Sequence, residues 1–307
     1  MIAYLLAQQI VVLFIMMGLG ALIVKAGVVK AQDSRTLSMV TIYLILPCVI
    51  LKAFQIDYSP AVRDGFILAV CAAVAIHLAL FAMCGALGKV FHFDPVEKGS
   101  LIYSNAGNLI VPLVTAVLGD KWVIYASAFL CVQMIFLFTH CQTMMRGQLH
   151  LDWRSLVTNV NLIAIVVGLL MFLTGLRLPS LPYEVVSGVA STIGPVSMIM
   201  LGMVLSEVRW KNVLSHRRIY LVTTIKMIVL PLAIMALLKF SGIHSLAPHG
   251  RMILLISLLA VITPSATMVT QLAQVYGRDA AYSGSINAFT TIVSIMTMPL
   301  IISLYLF

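Results

Sequence analysis

The sequence predicts an all-helical protein that crosses a lipid bilayer many times, and three observations support that prediction. Of the 307 residues, 62 % are hydrophobic and only 9 % are charged, and the mean hydropathy is +1.09. These values lie far outside the range of soluble globular domains. Uncharged runs long enough to cross a hydrocarbon core occupy residues 1–24, 156–176 and 280–307. Such runs are membrane spans and not the buried helices of a soluble core.

Hydrophobic runs between charged or Pro- and Gly-rich breaks define ten candidate transmembrane helices. In chain order the predicted spans are 3–25, 36–54, 65–89, 100–119, 121–143, 157–177, 185–206, 218–239, 251–276 and 280–306. A polar connection follows the fifth span, which divides the chain into two halves of five. We therefore expect a first five-helix repeat at 1–143, a short loop at 144–156 and a second five-helix repeat at 157–307.

An odd number of spans in each half inverts the second half relative to the first, as in many secondary transporters. The segments 117–120 and 275–278 end the fourth and ninth spans with related sequences, 158 residues apart. The same offset places Asn105 opposite Thr263, so both halves carry helix-breaking residues at one equivalent depth. The sequence thus predicts an inverted 5+5 repeat in which the discontinuous fourth and ninth spans cross.

The distribution of basic residues predicts the orientation in the membrane. Loops after the odd-numbered spans contain 12 Lys and Arg residues, and loops after the even-numbered spans contain 6. Because cytoplasmic loops carry the basic excess, we expect a multi-pass protein of the inner (plasma) membrane with both termini outside and the central loop cytoplasmic. The same loops account for the net charge of +9, so nucleic acid is not an expected partner.

The fourth span contains an unusual group of polar and helix-breaking residues. Asn105 and Asn108 share one helix face, Gly107 loosens the backbone between them, and Pro112 removes the hydrogen bond to the carbonyl of Asn108. Two amides and a freed carbonyl at mid-membrane depth are the composition of a ligand site. The alternative is a proline kink whose asparagines bond to neighbouring helices.

The ninth span repeats this pattern with Thr263, Pro264, Ser265 and Thr267. Taken alone, these residues are also compatible with hydroxyls that bond the backbone of their own helix. A helix in lipid must satisfy its own backbone groups, so interruptions persist only where protein or a hydrated cavity provides partners. The two broken spans together favour a substrate site at their crossing.

Three residues outside the broken spans belong to the predicted site region. Gln133 in the fifth span and Asn287 in the tenth add neutral hydrogen-bonding groups to the predicted substrate site. Lys226 lies about eight residues inside the eighth span. It either balances a bound anion or bonds the unwound carbonyls of the crossing, unless its long stem carries the charge to the interface.

Four motifs together resemble the auxin efflux carrier family, including its bacterial members, over nearly the whole chain. They are Asn105-x-Gly-Asn-x-x-x-Pro112, Tyr43-x-x-x-Pro47, Lys226-x-x-x-x-Pro231, and Thr263-Pro-Ser-Ala266 before a Tyr276-Gly277 end. This chain has Gln133 where many relatives carry asparagine, and it lacks the long cytoplasmic loop of some plant members.

The resemblance implies a fold similar to that of the bile-acid sodium symporters. In such a fold ten helices form inverted repeats, and the fourth and ninth helices cross where each unwinds at a proline. One group of helices then moves past the other to give alternating access. By resemblance, the substrate is a small organic anion such as a dicarboxylate or an indole carboxylate.

The charges point to the same substrate class. No Asp or Glu falls in the middle of any predicted span, so a cationic substrate would find no partner. We therefore predict a secondary active or potential-driven transporter of a small organic anion. The alternative is a sodium-coupled dicarboxylate importer with an ion site of carbonyls and hydroxyls.

Other function classes are disfavoured. The chain has no His-Glu-x-x-His motif and no intramembrane aspartate pair, so we do not expect an enzyme. A non-transport receptor would not require paired, proline-broken spans. We expect no cofactor and no bound metal. The expected partners are the organic anion and the lipid bilayer, with a homodimer left open.

Overall fold

The computed structural model describes residues 2–148, 153–206, 208 and 210–306, and throughout this part of the chain the protein is helical, without β-strands. We number the principal helices in chain order as α1 (Ile2–Lys25), α2 (Ala31–Ala53), α3 (Pro60–Phe91), α4a (Pro95–Ile102), α4b (Ala106–Val117), α5 (Asp120–Arg146), α6 (Val160–Thr174), α7 (Ser180–Ser206), α8 (Arg217–Phe240), α9a (Gly250–Ile262), α9b (Thr267–Val275) and α10 (Ala280–Leu306).

The helices have the lengths and composition of a multi-pass membrane protein. Among the described residues, seven helices are long and apolar enough to cross a bilayer: α1, α2, α3, α5, α7, α8 and α10. The helices α4b, α6 and α9a are also apolar but shorter. The prediction of an all-helical membrane protein is therefore confirmed.

Local sequence signals explain where several helices begin. The hydroxyl of Ser59 accepts a hydrogen bond from the backbone N–H of Val62 (3.2 Å), and Pro60 occupies the first turn of α3. Asp94 and Glu97 form a capping box at the start of α4a. These caps place the ends of α3 and α4a a few residues outside the hydrophobic runs, so both helices begin earlier than the sequence predicts.

Two of the recognised motifs coincide with wide turns inside helices. The segments Thr41–Ile45 in α2 and Ile225–Val229 in α8 are π-helical, and each precedes a proline, Pro47 or Pro231. A proline cannot donate to the carbonyl four residues earlier, and a π turn accommodates this loss without ending the helix. The spacing of Lys226 to Pro231 therefore marks a local widening of α8.

The helices associate in two groups. One group contains α1, α2, α6 and α7, and the other contains α3, α4a, α4b, α5, α8, α9a, α9b and α10. In the first group, α1 and α7 approach at backbone distance. A Cβ atom at Gly202 would lie 1.8 Å from the carbonyl oxygen of Met17, and one at Gly20 would lie 2.1 Å from that of Ile199. Small residues permit such close helix pairs in membranes.

The predicted central loop at 144–156 is only partly described. Residues 149–152 lie outside the described ranges, while α5 continues to Arg146 and a short helix spans Trp153–Val157. Gly147 ends α5 in the left-handed conformation (φ 78°).

Candidate functional site

The fourth and ninth predicted spans are each interrupted, and the two interruptions contact each other. The first break, 103–105, separates α4a from α4b, and the second, 263–266, separates α9a from α9b. The backbone N–H of Asn105 donates to the carbonyl of Pro264 (2.8 Å), and that of Ala266 donates to the carbonyl of Tyr103 (3.0 Å). This short antiparallel pairing, centred on Ser104 and Ser265, satisfies backbone groups that neither helix can satisfy alone. We call these two segments the paired breaks.

Two serines connect the breaks reciprocally. The hydroxyl of Ser104 donates to the carbonyl of Val261 in α9a (3.3 Å), and the hydroxyl of Ser265 donates to the carbonyl of Ser100 in α4a (2.9 Å). Each serine thus satisfies a carbonyl near the C-terminal end of the other interrupted helix, where helices lack internal donors. Both serines are buried.

The neighbouring helices supply the remaining partners of the breaks. The amide of Gln133 in α5 donates to the carbonyl of Ser104 (2.9 Å) and accepts from its N–H (3.3 Å). In α10, the amide of Asn287 donates to the carbonyl of Ser265, and the hydroxyl of Thr290 accepts from the N–H of Ser265 (3.2 Å). Thus α5 supports the first break as α10 supports the second.

A cavity of about 660 Å³ adjoins the paired breaks. Of the predicted site residues, Asn105, Gly107, Asn108, Gln133 and Thr267 line it. The other predicted residues do not line the cavity. Thr263, Pro264, Ser265 and Asn287 form the backbone connections of the second break. Pro112 is buried inside the continuous helix α4b, so the fourth span unwinds at 103–105 and not at a proline, contrary to what the resemblance implied. The structure thus separates the predicted set into lining residues and residues that hold the breaks.

The N-terminal ends of α4b and α9b both face this cavity, through Ala106 to Asn108 and through Thr267 and Met268. Neither helix has a side-chain hydrogen bond at its N-cap. The first N–H groups of a helix have no internal acceptor and carry a partial positive charge. The cavity therefore adjoins two uncapped, positively polarised helix ends.

The asparagines add a donor at the same place. The side-chain nitrogen of Asn108 donates to the side-chain oxygen of Asn105 (3.1 Å), and both residues are buried. The side-chain nitrogen of Asn105 is left without a hydrogen-bond partner. A buried donor without a partner is costly, so a ligand oxygen at this position would satisfy it.

The cavity wall carries one cationic side chain and no carboxylate among the described residues. Arg35 near the start of α2 provides the cation. The rest of the wall is apolar or neutral and polar, including Tyr43, Asn159, Asn161, Gln271 and Gln274. Within the described residues, no group of three His, Cys, Asp or Glu side chains is arranged to hold a metal ion.

The cavity extends from the paired breaks toward one end of the molecule. Its lining comes from the first half of α2, the second half of α5, the first turn of α6 and the length of α9b. All of these parts lie on the side of the loops that follow α1, α5 and α9. We call this side the mouth side.

Lys226 does not line the cavity. Its ammonium nitrogen lies 2.7 Å from the hydroxyl oxygen of Ser104 and 3.2 Å from the carbonyl oxygen of Leu101, the last turn of α4a. The side chain is buried, so it does not extend to the membrane interface. Of the alternatives open from sequence, bonding of the unwound segment is the one that the structure shows.

Several site residues are absent from the sequence prediction. Ser104 is the most important, and its position directly before Asn105 in the break was the available signal. Asn159 and Asn161, at the start of α6, line the cavity, and the side-chain oxygen of Asn161 has no partner. An Asn-Val-Asn sequence at the start of an apolar run reads as helix capping, and Asn159 does cap α6.

Comparison with known proteins identifies the family. The model of a family described as membrane transport protein matches residues 5–151 and 142–302, which together cover most of the chain. No individual curated protein matches the sequence. The family includes the auxin efflux carriers, so the resemblance found in the motifs is confirmed. The chain belongs to this membrane transport protein family.

Proposed function

We propose that this membrane transporter carries a small organic anion by alternating access, and that its ten helical segments form two inverted five-helix repeats. The reciprocal hydrogen bonds of Ser104 and Ser265 support the repeat, because the serine in each break donates to a carbonyl near the end of the other interrupted helix. The matching support of the breaks by α5 and α10, the last helices of the two halves, agrees with it.

One observation supports an anionic substrate most directly: the uncapped N-terminal ends of α4b and α9b face a single cavity. Helix N-termini bind anions because unpaired N–H groups and the helix dipole both favour negative charge. The unpartnered side-chain nitrogen of Asn105 adds a donor there. The cavity volume of about 660 Å³ suits a small molecule, and the apolar part of its wall suits a carboxylate with a hydrocarbon or aromatic body.

The position of the cavity suggests which step of transport the structure represents. By the distribution of basic residues, the mouth side is cytoplasmic, so a substrate would enter or leave the cavity from the cell interior. On the opposite side, Lys52 of α2 forms an ion pair with Asp120 at the start of α5, and we infer that this contact keeps the pathway closed there. Movement of the helix group α1, α2, α6 and α7 past the other group would open that side, which is the alternating-access step of inverted-repeat transporters.

The driving force follows from charge. A monovalent anion leaving a cell with an interior-negative potential gains about 2.3 kcal/mol per 100 mV, so export needs no coupling ion. Import of a dianion would need a coupling ion. A sodium-coupled dicarboxylate importer is therefore the alternative function that the test must distinguish.

The test is transport by purified protein in proteoliposomes. Labelled monocarboxylates, dicarboxylates and indole carboxylates are tested with and without sodium and with an imposed potential of either sign. We expect saturable uptake of at least one carboxylate that follows the potential and exchanges in counterflow. Transport of organic cations, with no binding or competition by carboxylates, would contradict the proposal.

A further inference from the structure

Lys226 is a fully enclosed cation in the centre of the protein, with only 1 % of its surface exposed. Its ammonium group contacts two oxygen atoms, the carbonyl of Leu101 and the hydroxyl of Ser104. No Asp or Glu among the described residues forms an ion pair with it. An enclosed charge without a counter-ion requires another source of stabilisation.

The end of α4a provides that stabilisation. The last carbonyls of a helix lack internal donors and carry a partial negative charge. At this end, Ser100 accepts from the hydroxyl of Ser265 and Leu101 accepts from Lys226. In transporters with interrupted helices, unwound carbonyls and half-helix C-terminal ends are the groups that coordinate a sodium ion or a proton. The ammonium of Lys226 occupies that kind of position here.

The helix that carries Lys226 is adapted to this placement. Lys226 lies in the π turn Ile225–Val229, five residues before Pro231. The wide turn sits inside α8 at the level of the first break, since its lysine reaches both Leu101 and Ser104. Single π turns within α-helices occur frequently at functional sites.

The charge of Lys226 also changes the balance at the paired breaks. The two helix N-termini facing the cavity and the two C-termini of α4a and α9a contribute partial charges of opposite sign in equal number. An ammonium group on Lys226, beside the end of α4a, leaves the region with net positive charge, which favours an anion in the cavity.

We propose that Lys226 is a tethered cation that fills a monovalent-cation site at the end of α4a. The anion site in the cavity then works without a sodium ion at the end of α4a. The consequence for transport rests on the proposed function, but the filled cation site is testable by binding and stability alone. Removing the ammonium is expected to create a site for a free monovalent cation.

The experiment measures the melting temperature of purified protein in detergent. The background salt, choline chloride, is replaced at equal ionic strength by sodium chloride, potassium chloride or n-propylammonium chloride. Lys226→Ala removes the ammonium and leaves space for a short alkylammonium ion. The matched control is Lys239→Ala, in the same helix, whose exposed ammonium lies 3.5 Å from the carbonyl of Leu304.

We expect propylammonium or sodium to raise the melting temperature of Lys226→Ala by about 3 °C or more, as binding to the folded state does. Wild type and Lys239→Ala should respond to these cations no more than to choline. In Lys226→Met the methionine side chain, which is longer than alanine, fills the space that the lysine stem leaves. That variant should therefore be less stable than wild type and insensitive to propylammonium. An equal response of Lys226→Ala and Lys239→Ala to every cation would overturn the proposal.

A second measurement covers the case in which neither Lys226 variant folds. Wild type alone is tested for stabilisation by sodium relative to choline, together with binding of labelled sodium. A filled site predicts no sodium-specific stabilisation and no binding. Sodium-specific stabilisation of wild type would show that a sodium ion, and not the lysine, satisfies the cation site, and it would overturn the proposal whatever the transported substrate is.

Discussion

Lys52 and Asp120 form an ion pair, with the ammonium nitrogen 2.8 Å from a carboxylate oxygen, on the side of the molecule opposite the mouth side. Lys52 lies 17 residues after Arg35 in α2, which at 1.5 Å per residue places it about 25 Å from the lining at the cavity mouth. The pair joins α2 in one helix group to the first residue of α5 in the other. It therefore connects the two groups at the end of the molecule opposite the cavity mouth.

This ion pair should help to keep the far side closed. Lys52 is 16 % exposed and Asp120 is 51 % exposed, and partly exposed pairs of this kind contribute about 1 kcal/mol or less. Lys52→Ala should therefore shift the equilibrium toward the form open on the far side by up to about fivefold. The measurement is the labelling rate of Thr115→Cys, which lies beside the pair, by an impermeant thiol reagent.

The labelling experiment uses protein without its native cysteines. The exchanged pair Lys52→Asp with Asp120→Lys serves as the control, because it restores attraction and should restore slow labelling. Equal labelling of Thr115→Cys with and without Lys52 would show that the ion pair does not hold this side closed.

The sequence predicts the helices well because hydrophobic length alone identifies a span in lipid. The predicted bounds differ from the observed ones where capping side chains or prolines, such as Pro60 and Pro95, extend a helix beyond its apolar run. The second break was recognisable because Pro264 disfavours a continuous helix. In the fourth span the expected helix breaker, Pro112, lies inside α4b, and the break ends at Asn105 instead.

The partners of the polar side chains were not recognisable from sequence. From sequence, the side chain of Gln133 is expected to be a donor available to substrate. In the structure its amide nitrogen and its amide oxygen both form hydrogen bonds with the backbone of Ser104. From sequence, Lys226 is equally compatible with balancing the charge of the substrate and with supporting the crossing of the broken helices. Its short distances to Leu101 and Ser104 show that it supports the first break. Each contact joins residues from different helices, about 30 residues or more apart in the chain, so local patterns carry no signal for it.

Asn105→Asp should weaken binding of the anion without preventing folding. An aspartate is a favourable residue at the N-cap of α4b, so the protein should remain folded. The new carboxylate would, however, repel an anion at the two helix N-termini. We expect transport of carboxylates to fall at least about tenfold, which corresponds to about 1.4 kcal/mol of repulsion.

Two comparisons support the interpretation of that variant. Gln32→Glu adds the same charge on an exposed turn outside the cavity wall and should leave transport within about twofold of wild type. Asn105→Ala removes the unpartnered donor without adding charge and should have an intermediate effect. Wild-type kinetics in Asn105→Asp would show that the anion does not approach this residue.

Gly202→Ala should destabilise the contact between α1 and α7. Its methyl group would lie 1.8 Å from the carbonyl oxygen of Met17, which is possible only if the helices move apart. Overpacking of this kind costs about 1–3 kcal/mol. The melting temperature in detergent should therefore fall by several degrees. Gly18→Ala in α1 is the control, since no atom lies within 4 Å of its added methyl group, and a similar loss in both variants would argue against the close contact as the cause.

Glu97 at the start of α4a accepts four hydrogen bonds on the mouth side, two of them from an arginine. Its carboxylate accepts two hydrogen bonds of 2.7 Å from Arg218 in α8 and one of 2.8 Å from the hydroxyl of Tyr282 in α10. The backbone N–H of Asp94 donates a fourth (3.0 Å). Glu97 is 1 % exposed, so three helices are joined through one buried carboxylate.

These contacts predict a specific pH dependence of stability. Burial acts to raise the pKa of the Glu97 carboxyl, but the hydrogen bonds from Arg218, Asp94 and Tyr282 and the charge of Arg218 outweigh it, so the pKa is lowered. A lowered pKa in the folded state means that the stabilisation is present above the unfolded pKa of about 4.3 and is lost as the pH falls through the folded value. The contribution of Glu97 should therefore be constant from pH 7 to about 5 and decline below about pH 4.

Glu97→Gln tests this dependence because it removes the charge and keeps the shape. At pH 7 we expect the variant to be less stable than wild type by about 1.5–3 kcal/mol, the range for hydrogen bonds to a charged group. The difference in melting temperature between the two proteins should narrow as the pH is lowered from 5 to 3, since wild type then also loses the carboxylate. Glu184→Gln, which changes an exposed carboxylate in α7, should match wild type throughout. If wild type and Glu97→Gln differ by the same amount at pH 3 and pH 7, the ionised carboxylate is not what joins α4a to α8 and α10.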